Sequence, residues 1–203
     1  MVKIKSISDI ELNGGLLCLD FINSVASRKE LPMTEYLNSM HDLIEWGRRL
    51  KIIDAKTEKL LTSEVELYPK KAIAFFKEAI YFRELLYSIY HPISSGKIIP
   101  SAVLKEYNAM LSVYFSYLRL KSTTEGFEED WTLEETSFKR LLAPILNDSY
   151  ENLLSNKLHR IKECPNCGWL FYDSTKNGKR RWCSMKSCGS GVKALNWYYR
   201  QNG

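Results

Sequence analysis

Four of the five cysteines lie in the last fifth of the chain, and they form two pairs. Cys164 and Cys167 have two residues between them, Cys183 and Cys188 have four, and fifteen residues separate the two pairs. Pairs at this spacing are the usual source of the four thiolates of a tetrahedral Zn²⁺ site. A full shell of four thiolates leaves no position for water, so the spacing predicts a structural zinc ion rather than a catalytic one. An iron–sulfur centre, redox disulfides and unrelated buried thiols are the alternatives.

The residues around the cysteines predict turns that bring the two pairs together. Pro165 and Gly168 favour a tight loop around the first pair. The segment WLFYDSTKNGKRRW predicts two short strands around Asn177-Gly178, a dipeptide typical of type I′ hairpin turns. Such a hairpin would carry the second cysteine pair back toward the first. A module of about 40 residues buries little core, so metal binding should supply much of its folding free energy.

Charge is distributed unevenly along the chain. Residues 157–203 carry ten Lys and Arg against two acids, whereas residues 1–156 carry 19 Lys and Arg against 22 acids. This asymmetry predicts that the C-terminal part contacts a polyanion, with a merely solubilising tail as the alternative. The predicted nucleic-acid contacts are Lys176, Lys179, Arg180, Arg181, Lys186, Lys193 and Arg200, the last two on a predicted final helix, VKALNWYYRQN. DNA and RNA fit these charges equally well, and an acidic protein is a further candidate partner.

The remaining sequence predicts a mainly α fold with one small β-hairpin. Helices are predicted over NGGLLCLDFINSV and over TEYLNSMHDLIEWGRRLKII, and a third is predicted to follow an N-cap at Asp54. A fourth helix is predicted from Pro69 to a stop at Pro92, and a fifth is predicted to begin at Pro100. Aromatic and β-branched residues then predict a hairpin with its turn near Thr123–Gly126. Thr132–Glu135 matches a capping box, which predicts a helix to about Ser155 that Pro144 kinks or splits.

Three polar residues stand within apolar helical segments and must find partners. We predict that Asp20 pairs with Arg83 and that Asn23 caps a backbone group. The alternative is that these three residues line a small polar pocket for a small-molecule effector.

Cys18, alone in an apolar run, is predicted to be a buried hydrophobic residue. No nucleophile–base pair, open metal site or phosphate-binding loop is evident, so we do not expect an enzyme.

Several segments resemble a known protein family. The segment CPNCGWLFYDSTKNGKRRWCSMKSCGSGVKA resembles the CGNR zinc finger, and GGLLCLDFINS, DLIEWGRRLKII and FRELLYSIY resemble the ABATE domain that precedes this finger in bacterial proteins. The resemblance implies a stress-induced transcription regulator whose finger binds DNA. It also implies two parts, a helical ABATE-like domain over residues 1–156 and a zinc-ribbon-like finger over residues 157–203. The chain departs from the family at Ser190-Gly191, where the CGNR motif has Asn-Arg, and so lacks an arginine that could contact phosphate or guanine.

The sequence also predicts where the protein acts and in what form. No apolar segment follows the basic N-terminus as in a secretory signal, and no run approaches the roughly 18 apolar residues that a membrane span requires. We therefore expect a cytoplasmic protein without a membrane partner. Specific DNA-binding regulators usually present two binding modules, so we expect a homodimer.

Overall fold

The computed structural model describes residues 6–191, and the structural statements below concern this part of the chain. It contains six α-helices and two separate two-stranded antiparallel sheets. In chain order the elements are α1 Leu17–Ile22, α2 Met40–Arg49, α3 Ala55–Leu67, α4 Pro69–Ser94, α5 Ser101–Phe115, β1 Leu118–Thr123, β2 Gly126–Trp131, α6 Lys139–Leu154, β3 Ile161–Glu163 and β4 Leu170–Tyr172. None of the helices described is both long enough and apolar enough to cross a membrane.

The short helix α1 lies in the centre of the molecule. Cys18, Phe21 and most of its other residues are fully buried, as predicted for this apolar run. The Phe21 ring lies 5.3 Å from the Trp46 ring of α2 and 6.1 Å from the Phe82 ring of α4, measured between centroids. These aromatic contacts join α1, α2 and α4 in one hydrophobic core.

Side-chain caps determine where α2 and α3 begin. The Ser39 hydroxyl accepts a hydrogen bond from the Asp42 N–H at 3.2 Å, so α2 begins at Met40 and not at residue 34 as predicted. The residues just before Ser39 form no helix, and Glu35 pairs with Val25 in an isolated antiparallel bridge. The predicted N-cap of α3 is confirmed, because the Asp54 carboxylate accepts from the Thr57 N–H at 2.8 Å.

Helix α4 continues two residues beyond Pro92, where the sequence predicts its end. A proline in the last turn removes a single helical hydrogen bond, the one its own N–H would have donated, and the helix tolerates this loss. The turn after Ser94 closes when the Pro92 carbonyl accepts from the Lys97 N–H at 2.9 Å. Gly96 adopts φ +65° in this turn, a conformation that favours glycine.

The hairpin of β1 and β2 is confirmed, with register from Leu118 opposite Trp131 to Thr123 opposite Gly126. The capping box predicted at Thr132–Glu135 is wrong. The Thr132 N–H and hydroxyl instead donate to the Tyr117 carbonyl, at 2.8 and 2.9 Å, and thereby prolong the hairpin. Helix α6 begins only at Lys139, and it runs through Pro144 without being split.

The second sheet differs from the hairpin predicted around Asn177-Gly178. Strand β3 pairs with β4, so the sheet flanks the first cysteine pair, and residues 174–181 form no strand. The Lys162 ammonium donates to the carbonyls of Gly178 and Arg180, at 2.5 and 3.1 Å. Because this lysine occupies carbonyls that a hairpin ladder would use, the segment folds as a loop against β3.

Candidate metal centre

The four cysteines that the sequence predicts as metal ligands meet at one point. Their sulfur atoms all lie within 4.8 Å of one another. Cys183 Sγ is 3.5 Å from Cys167 Sγ and 3.6 Å from Cys188 Sγ, and none of the four forms a disulfide. A tetrahedral zinc ion with Zn–S bonds of about 2.3 Å holds its sulfur ligands about 3.8 Å apart. The donor set and its spacing therefore fit a structural zinc ion.

The turn between β3 and β4 presents the first cysteine pair. The Cys164 N–H donates to the Trp169 carbonyl at 2.8 Å, and the Gly168 N–H donates to the Cys164 carbonyl at 2.9 Å. Gly168 adopts φ +75°, and a Cβ at this position would lie 2.9 Å from the Arg28 Cβ. Both the backbone conformation and the close approach of Arg28 thus require glycine here.

The second pair is held by a single π-helical turn, Met185–Gly189. The Ser184 hydroxyl caps this turn by accepting from the Ser187 N–H at 3.2 Å. Within the cluster, hydrogen bonds from the Cys167 and Cys183 thiols lower the pKa of Cys164 well below its ordinary value. The contacts with Cys164 in turn raise the pKa of Cys167 and Cys183, so the first thiolate of the cluster forms at Cys164, and a thiolate is the form that binds a metal ion.

Asp173 organises the loop that connects the two cysteine pairs. Its buried carboxylate accepts from the Lys162 ammonium at 2.6 Å, from the Thr175 N–H at 3.0 Å and from the Arg180 N–H at 2.8 Å. Burial by itself raises the pKa of this carboxyl, but these donors and the Thr175 hydroxyl, which donates at 2.5 Å, outweigh burial and hold the pKa well below its usual range. A charged Asp173 therefore anchors the loop between the pairs.

Arg180, predicted from the sequence to contact nucleic acid, lies against the metal site instead. Its Nε donates to the Trp182 carbonyl at 2.9 Å, and its Nη2 donates to the Cys183 carbonyl. The guanidinium also lies over the Phe171 ring, 4.7 Å from the centroid. These contacts support the backbone of the second cysteine pair, so we leave Arg180 out of the candidate nucleic-acid surface.

A loop of the helical region, residues 23–29, holds the cysteine-bearing turn; we call it the clamp loop. Asn23 forms two hydrogen bonds with the Leu170 backbone, donating from Nδ2 to the carbonyl at 2.7 Å and accepting at Oδ1 from the N–H at 3.0 Å. The Trp169 indole N–H donates to the Val25 carbonyl at 2.8 Å. Asn23 therefore does bind backbone groups, as predicted, but those of β4.

The other half of the clamp loop contacts the turn itself. The Arg28 N–H and the Ser27 hydroxyl both donate to the Cys167 carbonyl, at 2.7 and 3.2 Å. The Lys29 ammonium donates to the Pro165 carbonyl at 2.6 Å. These contacts were not predicted from the sequence, in which only the polar Asn23 within an apolar run indicated them.

The predicted pair of Asp20 with Arg83 is wrong. Arg83 is 1% exposed and binds both carboxylate oxygens of Glu35, at 2.7 and 2.8 Å, while its Nε donates to Glu84 at 2.7 Å. Glu84 also accepts from Arg28 at 2.5 Å. Arg83 thus links Glu35, which follows the clamp loop, to α4, and Glu84 of the same helix holds Arg28 of the loop.

Asp20 has a different partner, the Gly14 N–H, which donates to its carboxylate at 2.8 Å. Burial raises the pKa of Asp20 to about 6, although the hydrogen bond from Gly14 opposes this rise. Asp20, Asn23 and Arg83 each bind separate protein groups, and an effector pocket formed by these three residues stays a prediction. Of the three, Asn23 hydrogen-bonds directly to the cysteine-bearing segment.

Exposed cations lie along the segment that runs from the first cysteine pair to the second. Lys176, Lys179, Arg181 and Lys186 are exposed as predicted. A cleft of about 240 Å³ next to them is lined by further groups that the sequence analysis missed, Lys157, His159 and Arg160, together with Lys176. Lys193 and Arg200, with the predicted final helix, lie outside the described residues.

Comparison with protein families agrees with this arrangement. The family model named ABATE, described as "Putative stress-induced transcription regulator", matches residues 15–156. The model of the CGNR zinc finger matches residues 160–201, which include all four clustered cysteines. No curated protein matches the chain. The chain therefore belongs to the ABATE family and carries a CGNR zinc finger in its C-terminal part.

Proposed function

We propose that this protein is a cytoplasmic, DNA-binding transcription regulator whose zinc finger contacts DNA phosphates. The observation that carries the proposal is the set of exposed finger cations without an acidic partner. Within residues 6–191, no ion pair involves Lys157, Lys176, Lys179 or Lys186. Unpaired cations on a fixed surface are the usual means of attracting a phosphate backbone.

The zinc ion would act structurally in this proposal. When bound, it crosslinks the four thiolates and so fixes the loop between the cysteine pairs relative to the β3–β4 turn. This loop carries Lys176 and Lys179, and Asp173 and Lys162 hold its base. The positive groups would thus have a defined arrangement before DNA arrives.

The contacts available to the finger are of the phosphate-binding kind. Lys176, Arg160 and His159 line one cleft, in which a phosphate group could be bound from several sides. Ser190 donates its hydroxyl to the Lys186 carbonyl, and neither Ser190 nor Gly191 can form the bidentate contact that arginine makes with guanine. We therefore expect the finger to add affinity more than base selectivity.

A single finger of this kind should bind weakly. If about four cations contact phosphates, the logarithm of the binding constant should fall with the logarithm of the salt concentration at a slope of roughly −3.6. We propose that a homodimer joins two fingers on one DNA, which raises the affinity through effective concentration. Light scattering with and without duplex DNA measures this stoichiometry.

The direct test is a titration of fluorescently labelled duplex DNA with zinc-loaded protein at several salt concentrations. A triple variant, K176A/K179A/R181A, removes exposed finger cations but keeps Arg180, which supports the metal site. We expect its affinity at low salt to fall at least about tenfold and its salt slope to become shallower by roughly 2.7. The matched control K77A/K97A/K105A removes three exposed cations of α4, α5 and the connection between them, and should bind as the parent does.

Three outcomes would contradict the proposal. Absence of binding at low salt would favour the alternative that the finger is a basic docking surface for an acidic protein. Tighter binding of single-stranded RNA than of duplex DNA would favour an RNA-binding role. Equal losses in the two triple variants would show that the attraction reflects total charge and not the finger surface.

A further inference from the structure

A cavity of about 620 Å³ opens on the helical region, away from the finger. It lies where the turn between α2 and α3 meets the end of β2 and the first half of α6. The lining residues combine cations with apolar side chains and include Lys51, Arg140, Arg48, Trp131, Ile52 and Pro144. None of the residues lining this cavity belongs to the finger or the clamp loop, so any ligand here would bind apart from DNA.

Lys51 occupies a backbone position at which glycine is usual. The Lys51 N–H donates to the Arg48 carbonyl at 3.1 Å, and the Ile52 N–H donates to the Gly47 carbonyl at 2.9 Å. This pair of bonds ends α2 with a residue in the left-handed conformation, and Lys51 has φ +60°. A Cβ is unfavourable there because it crowds the carbonyl oxygen. A strained residue that is not glycine, placed at a cavity, indicates that its side chain is required.

The Lys51 ammonium has no hydrogen-bond or ion-pair partner among the residues described here. Across the cavity, Arg140 is held in place by two carbonyls, those of Glu134 at 2.8 Å and Leu133 at 2.5 Å. These bonds use Nε and Nη2 and leave Nη1 without an acceptor in residues 6–191. Two positive groups therefore face one cavity with unused donors.

The other charged side chains of the lining, Arg48 and Asp54, already have partners within the protein. Arg48 lies 3.4 Å from the Glu58 carboxylate, and the Asp54 carboxylate accepts from the Thr57 N–H. Asp54 is the single carboxylate in the lining, against three cations. The cavity is therefore positive overall, although it lies in the part of the chain where acids outnumber Lys and Arg.

The apolar part of the lining determines which anion fits. Ile52, Ile53, Ala143 and Pro144 form an aliphatic wall, and the Trp131 side chain adds an aromatic surface. We infer that the cavity binds a small organic anion, a carboxylate or phosphate attached to an aromatic or aliphatic body. The anionic group contacts Lys51 and Arg140, and the body packs against Trp131 and Pro144, as in other small-molecule sites that pair apolar walls with few polar groups.

The test uses full-length, zinc-loaded protein and two probes of the same shape, 2-naphthoate and the neutral 2-naphthamide. Each is titrated while ¹H–¹⁵N spectra follow the Trp131 indole signal, which a W131F variant assigns. We expect 2-naphthoate to shift this signal saturably and 2-naphthamide to bind at least about threefold more weakly. Inorganic phosphate carries negative charge without an apolar body, so we expect it to displace 2-naphthoate only weakly.

The variant K51G separates binding from folding. Glycine relieves the strained conformation, so the melting temperature should rise, while the affinity for 2-naphthoate should fall about threefold or more. The control K59A removes one exposed cation of α3 outside the cavity and should leave the affinity unchanged. Equal binding of the two probes, unchanged affinity in K51G, or spectral changes that map away from Trp131 would each overturn the inference.

Discussion

The helical region and the zinc finger are stabilised in different ways. The helical region supplies its own core, in which Phe21, Trp46 and Phe82 pack together between three helices. The finger supplies few apolar side chains, and Trp169 and Leu170 are buried against the helical region, where the clamp loop binds them. We therefore expect the finger to depend on two supports from outside its own core, a metal ion and the helical region.

This difference bears on how the proposed DNA surface is built. Carbonyls of the finger at Cys167 and Pro165 are bound by residues that follow α1. Movement in the helical region would therefore reach the cysteine-bearing turn directly. The two parts matched by separate family models share one hydrophobic cluster, and we do not expect the finger to fold when separated from the helices.

The largest expected effect is the loss of the metal ion. We expect C183S to bind no zinc and to lose amide hydrogen-exchange protection over residues 161–189, because metal binding supplies much of the folding free energy of small zinc modules. The clamp loop should lose protection as well, whereas α4 and α6 should keep theirs. Hydrogen exchange with mass-spectrometric detection measures this contrast.

The control for this experiment is C18S, which alters the buried cysteine outside the cluster and should retain zinc. Protection that persists over residues 161–189 in zinc-free C183S would contradict the dependence on metal. Loss of protection throughout the helices would instead contradict the independence of the helical core.

The second prediction concerns the support that the helical region gives. N23A leaves the Leu170 N–H and carbonyl without their partners in a buried place, at an expected cost of about 2 kcal/mol. We expect faster release of zinc to a chromogenic chelator and a lower urea midpoint. N38A removes an exposed asparagine from the same region and serves as the matched control. Zinc release at the parental rate in N23A would mean that the finger does not need the clamp loop.

The third prediction is a pH dependence of the helical region. The pKa of Asp20 is about 6 in the folded state and lower in an unfolded chain. At a pH between these two pKa values, the folded state therefore binds more protons than the unfolded state. Stability due to this group is therefore highest below about pH 4, falls as the pH rises toward 6 and is constant above it. D20N should match the parent near pH 4 and exceed it by about 2 kcal/mol at pH 7, because the amide oxygen still accepts from Gly14.

The comparison of D20N with the parent cancels any effect of pH on zinc binding that both share. Urea unfolding at a series of pH values measures the difference in the free energy of unfolding. A difference that does not change with pH would show that Asp20 is not responsible.

The smallest effect is expected in the first hairpin, which contrasts with the buried second sheet. Leu120 and Phe127 of β1 and β2 are 76% and 78% exposed. Because little apolar surface is buried at either position, L120T/F127T should change the free energy of unfolding by less than about 0.5 kcal/mol. A large loss of stability, measured by urea unfolding, would mean that this face is covered in solution.

The sequence predicted well where the determinant is local. The spacing of the four cysteines predicted the cluster, Asp54 predicted the start of α3, and strand-forming residues predicted the first hairpin. In each case the residues that decide the structure are near neighbours in the chain or belong to one cysteine cluster. The position of Cys18 in an apolar run was likewise sufficient to predict its burial.

The sequence failed where a distant group competes for the same atoms. Thr132 has the pattern of a helix cap, but the Tyr117 carbonyl takes its donors. Asn177-Gly178 has the pattern of a hairpin turn, but Lys162 binds the carbonyls around it. Tyr117 reaches Thr132 because the first hairpin extends one pair further than its strand pattern indicates, and Lys162 reaches Gly178 only through the tertiary fold.

The most direct test of the account is X-ray absorption at the zinc edge of protein purified without chelator. We predict about one zinc ion per chain with four sulfur ligands at about 2.3 Å, and no bound zinc in C183S. A protein without stoichiometric metal, or a zinc ion with nitrogen or oxygen in its first shell, would contradict the claim that one ion joins the two cysteine pairs.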